Sequence, residues 1–265
     1  GANLRAAHVG AAGGRMLAAV TFDCWQTLIA DDDATEGTAR RLGIAGCRTA
    51  LERGGVPVPE AAVAAAYDAA GEALVTLWAS GRDTSTEGQV RLLLSHLDGP
   101  LAAEPPARLL RDLTAAYAAP VLEALPLPCE GAAEALAWAA SRGLRLGLIC
   151  NTGRTPGRTL RPALARRHLL RYLHACTFSD EVGLRKPDPR LFQATLTALG
   201  VGPADSVHVG DDPVADVAGA KRAGLRAVHL RRRAGAPGPA EADAIITSLR
   251  ELPAVLAAWA GEASP

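Results

Sequence analysis

Polar and charged residues follow several short apolar runs of this sequence, at the points where buried strands would end. Asp23 follows the run 17–22, and Thr27 lies four residues beyond it. Similar residues come after later runs: Cys150, Asn151 and Thr152 after 144–149, Lys186 after 174–178, and Asp211, Asp212 and Asp216 after 206–210. Because the carboxyl ends of parallel strands meet at one edge of a sheet, these side chains converge there if the strands are adjacent.

Such a cluster could attack a substrate and bind a cation. A carboxylate can attack a phosphoryl or carbon centre and so divide one difficult displacement into two easier ones. Several carboxylates at one mouth repel each other unless a divalent cation lies between them, and magnesium prefers carboxylate oxygens. Lys186 would then neutralise the nucleophile and the transferring group. Only Lys186 and Lys221 are lysines among the 28 basic residues, which favours a position at Lys186 that needs a compact ammonium.

The elements that position these residues alternate between apolar runs and helical patterns, which predicts an α/β fold with a parallel sheet. Strands are predicted at 17–22, 144–149, 174–178, 206–210 and 226–230, and a last strand and helix within 242–259. Helices are predicted at about 130–142, 157–168, 189–200 and 213–223. Pro189 and Pro213 fall at first turns, where proline is tolerated.

Over a hundred residues separate the first strand from the second, too many for one crossover connection. They are predicted to be helical at about 36–53, 60–80, 86–97 and 106–125. We therefore expect a core of residues 16–32 and 126–265, a helical cap of residues 33–125, and a disordered extension or cloning remnant at 1–15. Tyr67 and Trp78 are expected in the core of the helical bundle, with a substrate-facing role as the alternative.

The composition favours a globular protein that acts on small molecules. Of the 265 residues, 49% are hydrophobic and 21% are charged, and the formal net charge is zero, so no surface for nucleic acid or acidic membrane is indicated. No apolar run approaches the roughly 20 residues that span a bilayer. The five cysteines are odd in number and lack metal-binding spacing, which favours a reducing cytoplasm. We expect a small-molecule substrate and a monomer or homodimer.

Four motifs occur together in one order: Asp23 with Thr27, a polar strand end at Asn151, Lys186 in KPDP, and GDD followed by Asp216. In this the sequence resembles the haloacid dehalogenase superfamily of hydrolases, over about residues 17–260. The resemblance implies a Rossmann-like parallel core with an α-helical cap inserted after the first motif. It also implies a magnesium-dependent phosphohydrolase that acts on a small phosphorylated metabolite.

By the same resemblance, each motif residue has an expected role. Asp23 would be both the nucleophile and a metal ligand, and Lys186 would be the second catalytic residue. Further metal ligands would be Asp211 and either or both of Asp212 and Asp216. The expected substrate or phosphate contacts are Thr27, Cys150, Asn151 and Trp25.

The sequence departs from the family pattern at three positions. Trp25 stands where family phosphatases have a second aspartate, and an indole cannot shuttle a proton at neutral pH. General acid–base help is typically worth about 10²–10⁴-fold, so leaving groups would be restricted. Gln26 replaces the usual glycine, and Cys150 replaces a hydroxyl residue that binds phosphate, although a thiol is a weak donor.

Two other functions remain open. Family dehalogenases carry an aromatic residue at the position of Trp25 and need no acid, which favours a 2-haloacid dehalogenase-like hydrolase. The acidic group at 211–216 opposes this alternative, because those enzymes use no magnesium and uncompensated carboxylates are costly. A binding or regulatory protein that keeps the fold with little turnover is the third alternative. His208 and His229 lie inside apolar strands and are expected to be core residues.

Overall fold

Six parallel strands form the central sheet of the computed structural model, which describes residues 17–97, 104–232 and 238–259. We number all strands along the chain: β1 Ala19–Phe22, β2 Ile29–Ala30, β3 Leu127–Pro128, β4 Arg145–Cys150, β5 Ala175–Phe178, β6 Ser206–Gly210, β7 Arg226–Leu230 and β8 Ala244–Ile246. The sheet order is β5-β4-β1-β6-β7-β8, and β2 pairs with β3 as a separate antiparallel ribbon. The predicted α/β Rossmann-like core is confirmed.

Strand β1 lies at the centre of this sheet. All four of its residues are buried, as expected of a strand covered on both faces. Its register pairs Ala19 with Arg145 of β4 and with Ser206 of β6. Since the three strands are parallel and adjacent, the residues that follow them emerge at the same edge of the sheet.

Helices cover both faces of the sheet: α6 Ala132–Ser141, α7 Gly157–Arg166, α8 Ser179–Val182, α9 Pro189–Leu199, α10 Gly219–Arg222 and α11 Leu252–Trp259. Short 3₁₀ turns occupy Leu170–Tyr172, Pro203–Asp205 and Leu249–Glu251. One prediction needs correction, because the segment 213–223 is not a uniform α-helix. It begins as a π-helical turn, Pro213–Ala218, and only then continues as α10.

Between β2 and β3 the chain forms a second set of helices, which we call the helical group. Its members are α1 Asp33–Arg53, α2 Glu60–Ala79, α3 Thr86–Ser95, α4 Ala107–Ala118 and α5 Pro120–Glu123. Asp32 and Ser85 accept backbone hydrogen bonds as the N-caps of α1 and α3. The group has its own hydrophobic core, in which Tyr67 and Tyr117 are buried. It agrees with the helical insert that the sequence predicts, and the domain boundary at 33–125 stays a prediction.

The predicted extension at 1–15 lies outside the described residues. Within them, no helix is both long enough and apolar enough to cross a bilayer. All five cysteines are free thiols, in keeping with the absence of a disulfide pattern in the sequence.

Candidate active site

Three carboxylates and one lysine meet at the carboxyl edge of β1 and β6. Asp23, Asp211 and Asp216 each place an oxygen within 4.8 Å of the other two. The Nζ atom of Lys186 lies 2.6 Å from Oδ1 of Asp23 and 2.6 Å from Oδ1 of Asp216. The Lys186 side chain is only 1% exposed. One buried ammonium therefore faces three carboxylates, and we call these four residues the acidic cluster.

The π-helical turn and Gly210 place Asp216 in this cluster. In the turn, the N–H groups of Asp216 and Val217 both donate to the carbonyl of Asp212, at 3.0 and 3.2 Å. A Cβ atom on Gly210 would lie 2.3 Å from the Asp216 carboxyl group, so only glycine leaves room for it. The widened turn is of a kind that occurs frequently at functional sites.

Asp212, the other candidate ligand, lies differently. Its Oδ1 atom accepts hydrogen bonds from the N–H groups of Val214 and Ala215, at 2.7 and 2.8 Å, so it caps the π-helical turn. Its own N–H donates to Oδ2 of Asp216 at 2.9 Å. Asp212 is exposed and lies outside the acidic cluster. Of the two alternatives that the sequence left open, this placement favours Asp216.

Burial makes two of the carboxyl groups weaker acids. Burial raises the pKa of Asp23 from its ordinary 3.8 to about 7, against the lowering effect of Lys186 and with further raising by Asp216. Burial, and then the charge of Asp216, raises the pKa of Asp211 to about 6. The charged forms of Asp23 and Asp211 are thus disfavoured, and a bound cation would stabilise them.

Asp216 and Lys186 are held in their charged forms. Burial opposes the charge of Asp216, but Lys186 and a hydrogen bond from His208 outweigh it, so the pKa of Asp216 is lowered. Burial likewise opposes the charge of Lys186, and Asp216 and Asp23 outweigh it, so the pKa of Lys186 is raised. These two residues form the fixed ion pair within the cluster.

His208 contributes to this arrangement from β6. Its Nε2 atom lies 3.2 Å from Oδ1 of Asp216, and its Nδ1 atom lies 2.9 Å from the hydroxyl of Thr21. Burial lowers the pKa of His208, so the ring is neutral and we assign its proton to Nε2, facing the carboxylate. The expectation of a buried core histidine holds, but sequence reasoning missed its contact with the site.

Asn151 fixes the backbone of Lys186. Its Oδ1 atom accepts the N–H of Lys186 at 2.7 Å, and its Nδ2 atom donates to the carbonyl of Lys186 at 3.0 Å. The residue lies at the end of β4, next to β1 in the sheet. One Nδ2 hydrogen remains for a substrate, so Asn151 connects the lysine loop to the sheet edge.

Thr27 and Cys150 differ in the availability of their side chains. Thr27 is fully buried, and its hydroxyl has no hydrogen-bond partner in the described part of the chain. Buried hydroxyls without partners are rare, so this atom is ready to contact a bound group. Cys150 is also fully buried, but it lies in the hydrophobic core with its thiol against that of Cys24. This geometry gives no support to the predicted phosphate contact of Cys150.

The loop that follows Asp23 is backbone-strained. Gln26, at the position where family members have glycine, adopts a left-handed conformation with φ of 59°. Its N–H donates to the carbonyl of Ile29 at 2.7 Å and closes the loop. Trp25 is half-buried and forms an isolated bridge with Ile29. The strained turn explains the usual glycine, since other residues pay an energetic cost in this region.

A cavity of about 740 Å³ lies between the helical group and the sheet edge. None of the four cluster residues lines it, but Trp25, two residues after Asp23, and Asn151, which is hydrogen-bonded to the Lys186 backbone, form its wall on the sheet side. From the helical group it is lined by Tyr67, Trp78 and Tyr117, among others. Trp78 lines the cavity and is not part of the helical core, whereas Tyr67 both packs in that core and borders the cavity, so a substrate-facing role for either residue stays a prediction.

A separate ion pair ties the helical group to the sheet. Asp83, between α2 and α3, accepts a hydrogen bond from Arg185 at 2.6 Å through Oδ2, and its side chain is fully buried. Ser179 donates to the same oxygen at 2.5 Å, and the indole N–H of Trp78 donates to Oδ1 at 2.9 Å. We call this the Asp83 network. Sequence reasoning missed it, because an isolated aspartate between two helices carries no motif.

Together, a parallel sheet with a carboxylate after its central strand, a buried lysine and an adjoining helical layer define a class of α/β hydrolases. The chain belongs to the haloacid dehalogenase-like hydrolase family, whose model matches residues 17–224. This agrees with the resemblance that the four motifs indicate.

Proteins with similar sequences include phosphatases. A phosphoserine phosphatase of Thermus thermophilus is 42% identical over 118 residues, which are 44% of this chain and 46% of the relative. A phosphoglycolate phosphatase of Rhodospirillum rubrum is 38% identical over 124 residues, covering 47% and 49% of the two chains. The chain thus matches less than half the length of these curated relatives.

Among solved structures, a 2-haloacid dehalogenase from Pseudomonas syringae superposes with a TM-score of 0.64 and 25% identity, covering 92% of this chain and 100% of the other. CbbY from Rhodobacter sphaeroides, solved in complex with phosphate, gives a TM-score of 0.56 and 25% identity, covering 89% and 96%. Both descriptions, phosphatase and dehalogenase, therefore occur among similar proteins.

Proposed function

We propose that this protein is a phosphohydrolase that cleaves a small phosphorylated metabolite through an aspartyl-phosphate at Asp23. The observation that carries the proposal is the acidic cluster, in which Lys186 contacts Asp23 and Asp216 while Asp211 lies within 4.8 Å. The cavity beside it provides room for a small substrate. The phosphatases among the relatives give further support.

The donor set of the cluster fits magnesium. Carboxylate oxygens are hard ligands that Mg²⁺ prefers. Asp216 already contacts Lys186 and His208 through Oδ1, and the N–H of Asp212 through Oδ2. Asp23 and Asp211 have oxygens without such contacts in the described residues, so these two would hold the ion, with Asp216 supporting them. When bound, the ion would neutralise the carboxylates and the phosphoryl oxygens.

The proposed reaction has two displacements. A carboxylate oxygen of Asp23 bonds to phosphorus as the bond from phosphorus to the leaving oxygen breaks, and that oxygen takes up a proton. Water then attacks phosphorus, loses a proton, and releases inorganic phosphate with the Asp23 carboxylate restored. Lys186 stabilises charge on the phosphoryl oxygens, and Thr27 and Asn151 orient the group.

Because Trp25 cannot donate a proton, the proton taken up by the leaving oxygen must come from the substrate itself or from a residue in the cavity wall. Asp31 lines the cavity, and burial raises its pKa, followed by the charges of Glu36 and Asp32. It is therefore a candidate donor. Asp31→Asn is expected to slow hydrolysis of alkyl phosphates and to spare an activated aryl phosphate, whose leaving group needs no acid. Equal slowing of both would contradict this assignment.

The test of the proposed function is phosphate release from a panel of phosphomonoesters, an aryl phosphate and an acyl phosphate, with and without magnesium. We expect release that requires magnesium and is lost in Asp23→Asn, with a bias toward activated substrates. Asp212→Asn is the matched control, since the Asp212 side chain caps a turn and lies outside the acidic cluster. Full activity in Asp23→Asn would exclude the aspartyl-phosphate mechanism.

A dehalogenase is the second candidate function. Trp25 in the cavity wall and the similarity to the Pseudomonas syringae 2-haloacid dehalogenase favour it. It would show halide release from a 2-haloacid without added magnesium. Halide release together with absence of phosphate release would replace the phosphohydrolase by this function.

A further inference from the structure

We propose that Arg154 is a specificity-determining residue that binds a second anionic group of the substrate, a carboxylate borne by the part of the molecule that leaves. This inference rests on the proposed function and deepens it, because it names the substrate class: phosphate monoesters of hydroxy acids. Arg154 lies three residues after Asn151, in the loop between β4 and α7, and lines the cavity next to the acidic cluster.

The guanidinium of Arg154 is held across the cavity by the helical group. Its Nη2 atom donates to the carbonyl of Tyr67 at 2.8 Å, and its Nη1 atom donates to the hydroxyl of Tyr117 at 3.2 Å. Its central carbon lies 4.0 Å from the centroid of the Tyr67 ring. These contacts fix the plane of the guanidinium, so little side-chain entropy is lost when it binds a ligand.

Arg154 has no ion-pair partner of its own in the described ranges, although its charge acts on the nearby Asp68 carboxylate, which pairs with Arg40. Three arginines line the cavity, and two of them form ion pairs: Arg40 with Asp68 and Arg185 with Asp83. Arg154 donates only to neutral acceptors, and within the described ranges no carboxylate oxygen lies within 4.0 Å of its nitrogens. A half-buried guanidinium of this kind is suited to a carboxylate, which it can bind with charge-assisted hydrogen bonds.

The helical group makes room for this side chain at one position. A Cβ atom on Gly71 of α2 would lie 1.9 Å from Nη2 of Arg154. The guanidinium can therefore lie against α2 only because residue 71 has no side chain. Gly71→Ala would displace the charge without removing it, which gives a second variant for the test.

Arg154 could instead serve only to hold the helical group against the sheet. Arg158 offers the matched control, because it makes the same kind of contact without lining the cavity: its Nη2 atom donates to the carbonyl of Thr114 at 2.6 Å. Loss of a mere tether would affect all substrates alike. Loss of an anion-binding group would affect only substrates that carry the second anion.

The experiment compares kcat/KM for two substrate pairs that differ in one carboxylate. O-phosphoserine is compared with O-phosphoethanolamine, and phosphoglycolate with ethyl phosphate, while an aryl phosphate serves as the baseline. We expect the unmodified protein to prefer the carboxylate-bearing member of each pair. Arg154→Gln should lose about 10- to 100-fold on those members alone, the range for one or two charge-assisted hydrogen bonds. Arg154→Lys should retain part of the preference, and Arg158→Gln all of it.

Other results would overturn the inference. Equal losses on all substrates in Arg154→Gln would make the residue a tether. The same conclusion would follow if both Arg154→Gln and Gly71→Ala kept the preference for carboxylate-bearing substrates. Hydrolysis of the aryl phosphate without preference within either pair would refute the inference and leave the proposed function intact. Hydrolysis of no phosphate ester would refute the proposed function, and the inference with it. Thermal unfolding of each variant identifies those that fail to fold.

Discussion

Arg185 and Lys186 are adjacent in the sequence but belong to two buried charge clusters of opposite kind. Lys186 Nζ lies 2.6 Å from both Asp23 and Asp216, with Asp211 close by. Arg185 Nη1 lies 2.6 Å from Asp83 and 2.6 Å from the carbonyl of Thr152. The first cluster has one cation for three carboxylates, whereas the second has one cation for one carboxylate.

This difference is the one expected between a cluster that holds the fold and the cluster to which we assign the proposed chemistry. In the Asp83 network every charge is compensated and further hydrogen bonds satisfy the carboxylate, as a structural ion pair requires. In the acidic cluster burial, and then the charge of Asp216, raises the pKa of both Asp211 and Asp23, so a bound cation would stabilise their charged forms. Both clusters are buried, so the number of carboxylates per cation, and not burial, is what differs between them.

The largest effect is expected from Arg185→Met. It would leave the Asp83 carboxylate buried without a cation, which costs about 3–5 kcal/mol of unfolding free energy. Urea denaturation measures this loss. Asp83→Asn in the same background should restore part of it, since the uncompensated charge is then removed. A stability equal to that of the unmodified protein would show that the network is not structural.

Lys186→Met is expected to act on activity. Removing a preorganised charge from a reacting centre typically costs about 10²–10³-fold in kcat. Steady-state kinetics with the aryl phosphate measures the loss, with Lys221→Met as a control. Lys221 donates to Asp243, which directly precedes the edge strand β8, away from the acidic cluster. Arg185→Met, if folded, should lose far less. Similar kinetic losses in both would erase the distinction between the clusters.

Magnesium and pH test the charge imbalance directly. Between about pH 4 and 7 the folded protein binds more protons at Asp23 and Asp211 than the unfolded chain, so without metal these groups make stability fall as pH rises. The lowered pKa of His208 acts in the opposite direction. The measured quantity is therefore the difference between the unmodified protein and Asp23→Asn, whose decline should be shallower.

Magnesium at a hundred times its Kd should stabilise the unmodified protein by about 2.7 kcal/mol. At a fixed magnesium concentration the gain should increase as the pH rises through about 6 to 7, because Asp211 and Asp23 ionise in this range, and it should be smaller in Asp211→Asn. Thermal unfolding at several magnesium concentrations provides the measurement. No stabilisation at any pH would argue against a cation site in the acidic cluster.

The smallest effect concerns the strained loop. Gln26→Gly should stabilise the fold by about 1 kcal/mol, because a left-handed conformation costs roughly 1–2 kcal/mol for a residue with a side chain and glycine recovers part of this on folding. Gly55→Ala, at a φ of 79° with open space around it, is the reverse control and should destabilise. A destabilised Gln26→Gly would mean that the Gln26 side chain makes a compensating contact.

Much of the fold could be predicted from local patterns. The five strands predicted along the chain lie within two residues of their observed ends, because buried parallel strands are short apolar runs with clear ends. The convergence of Asp23, Asp211 and Lys186 also followed, since each comes after a strand or in a recognisable motif. The choice between Asp212 and Asp216 did not, because it depends on a π-helical turn that no residue pattern announces.

By itself, the sequence determined the parallel sheet, the helical insert and the residues at the sheet edge, since periodicity and strand ends are local properties. Only the tertiary structure decided which arginine side chains lie beside a carboxylate and which do not. Asp83 meets Arg185 across a separation of 102 residues, and Arg154 meets the Tyr67 carbonyl across 87. Electrostatic balance depends on distances in space, so the tertiary structure was needed to distinguish Arg185, which pairs with Asp83, from Arg154, which forms no ion pair with any described residue.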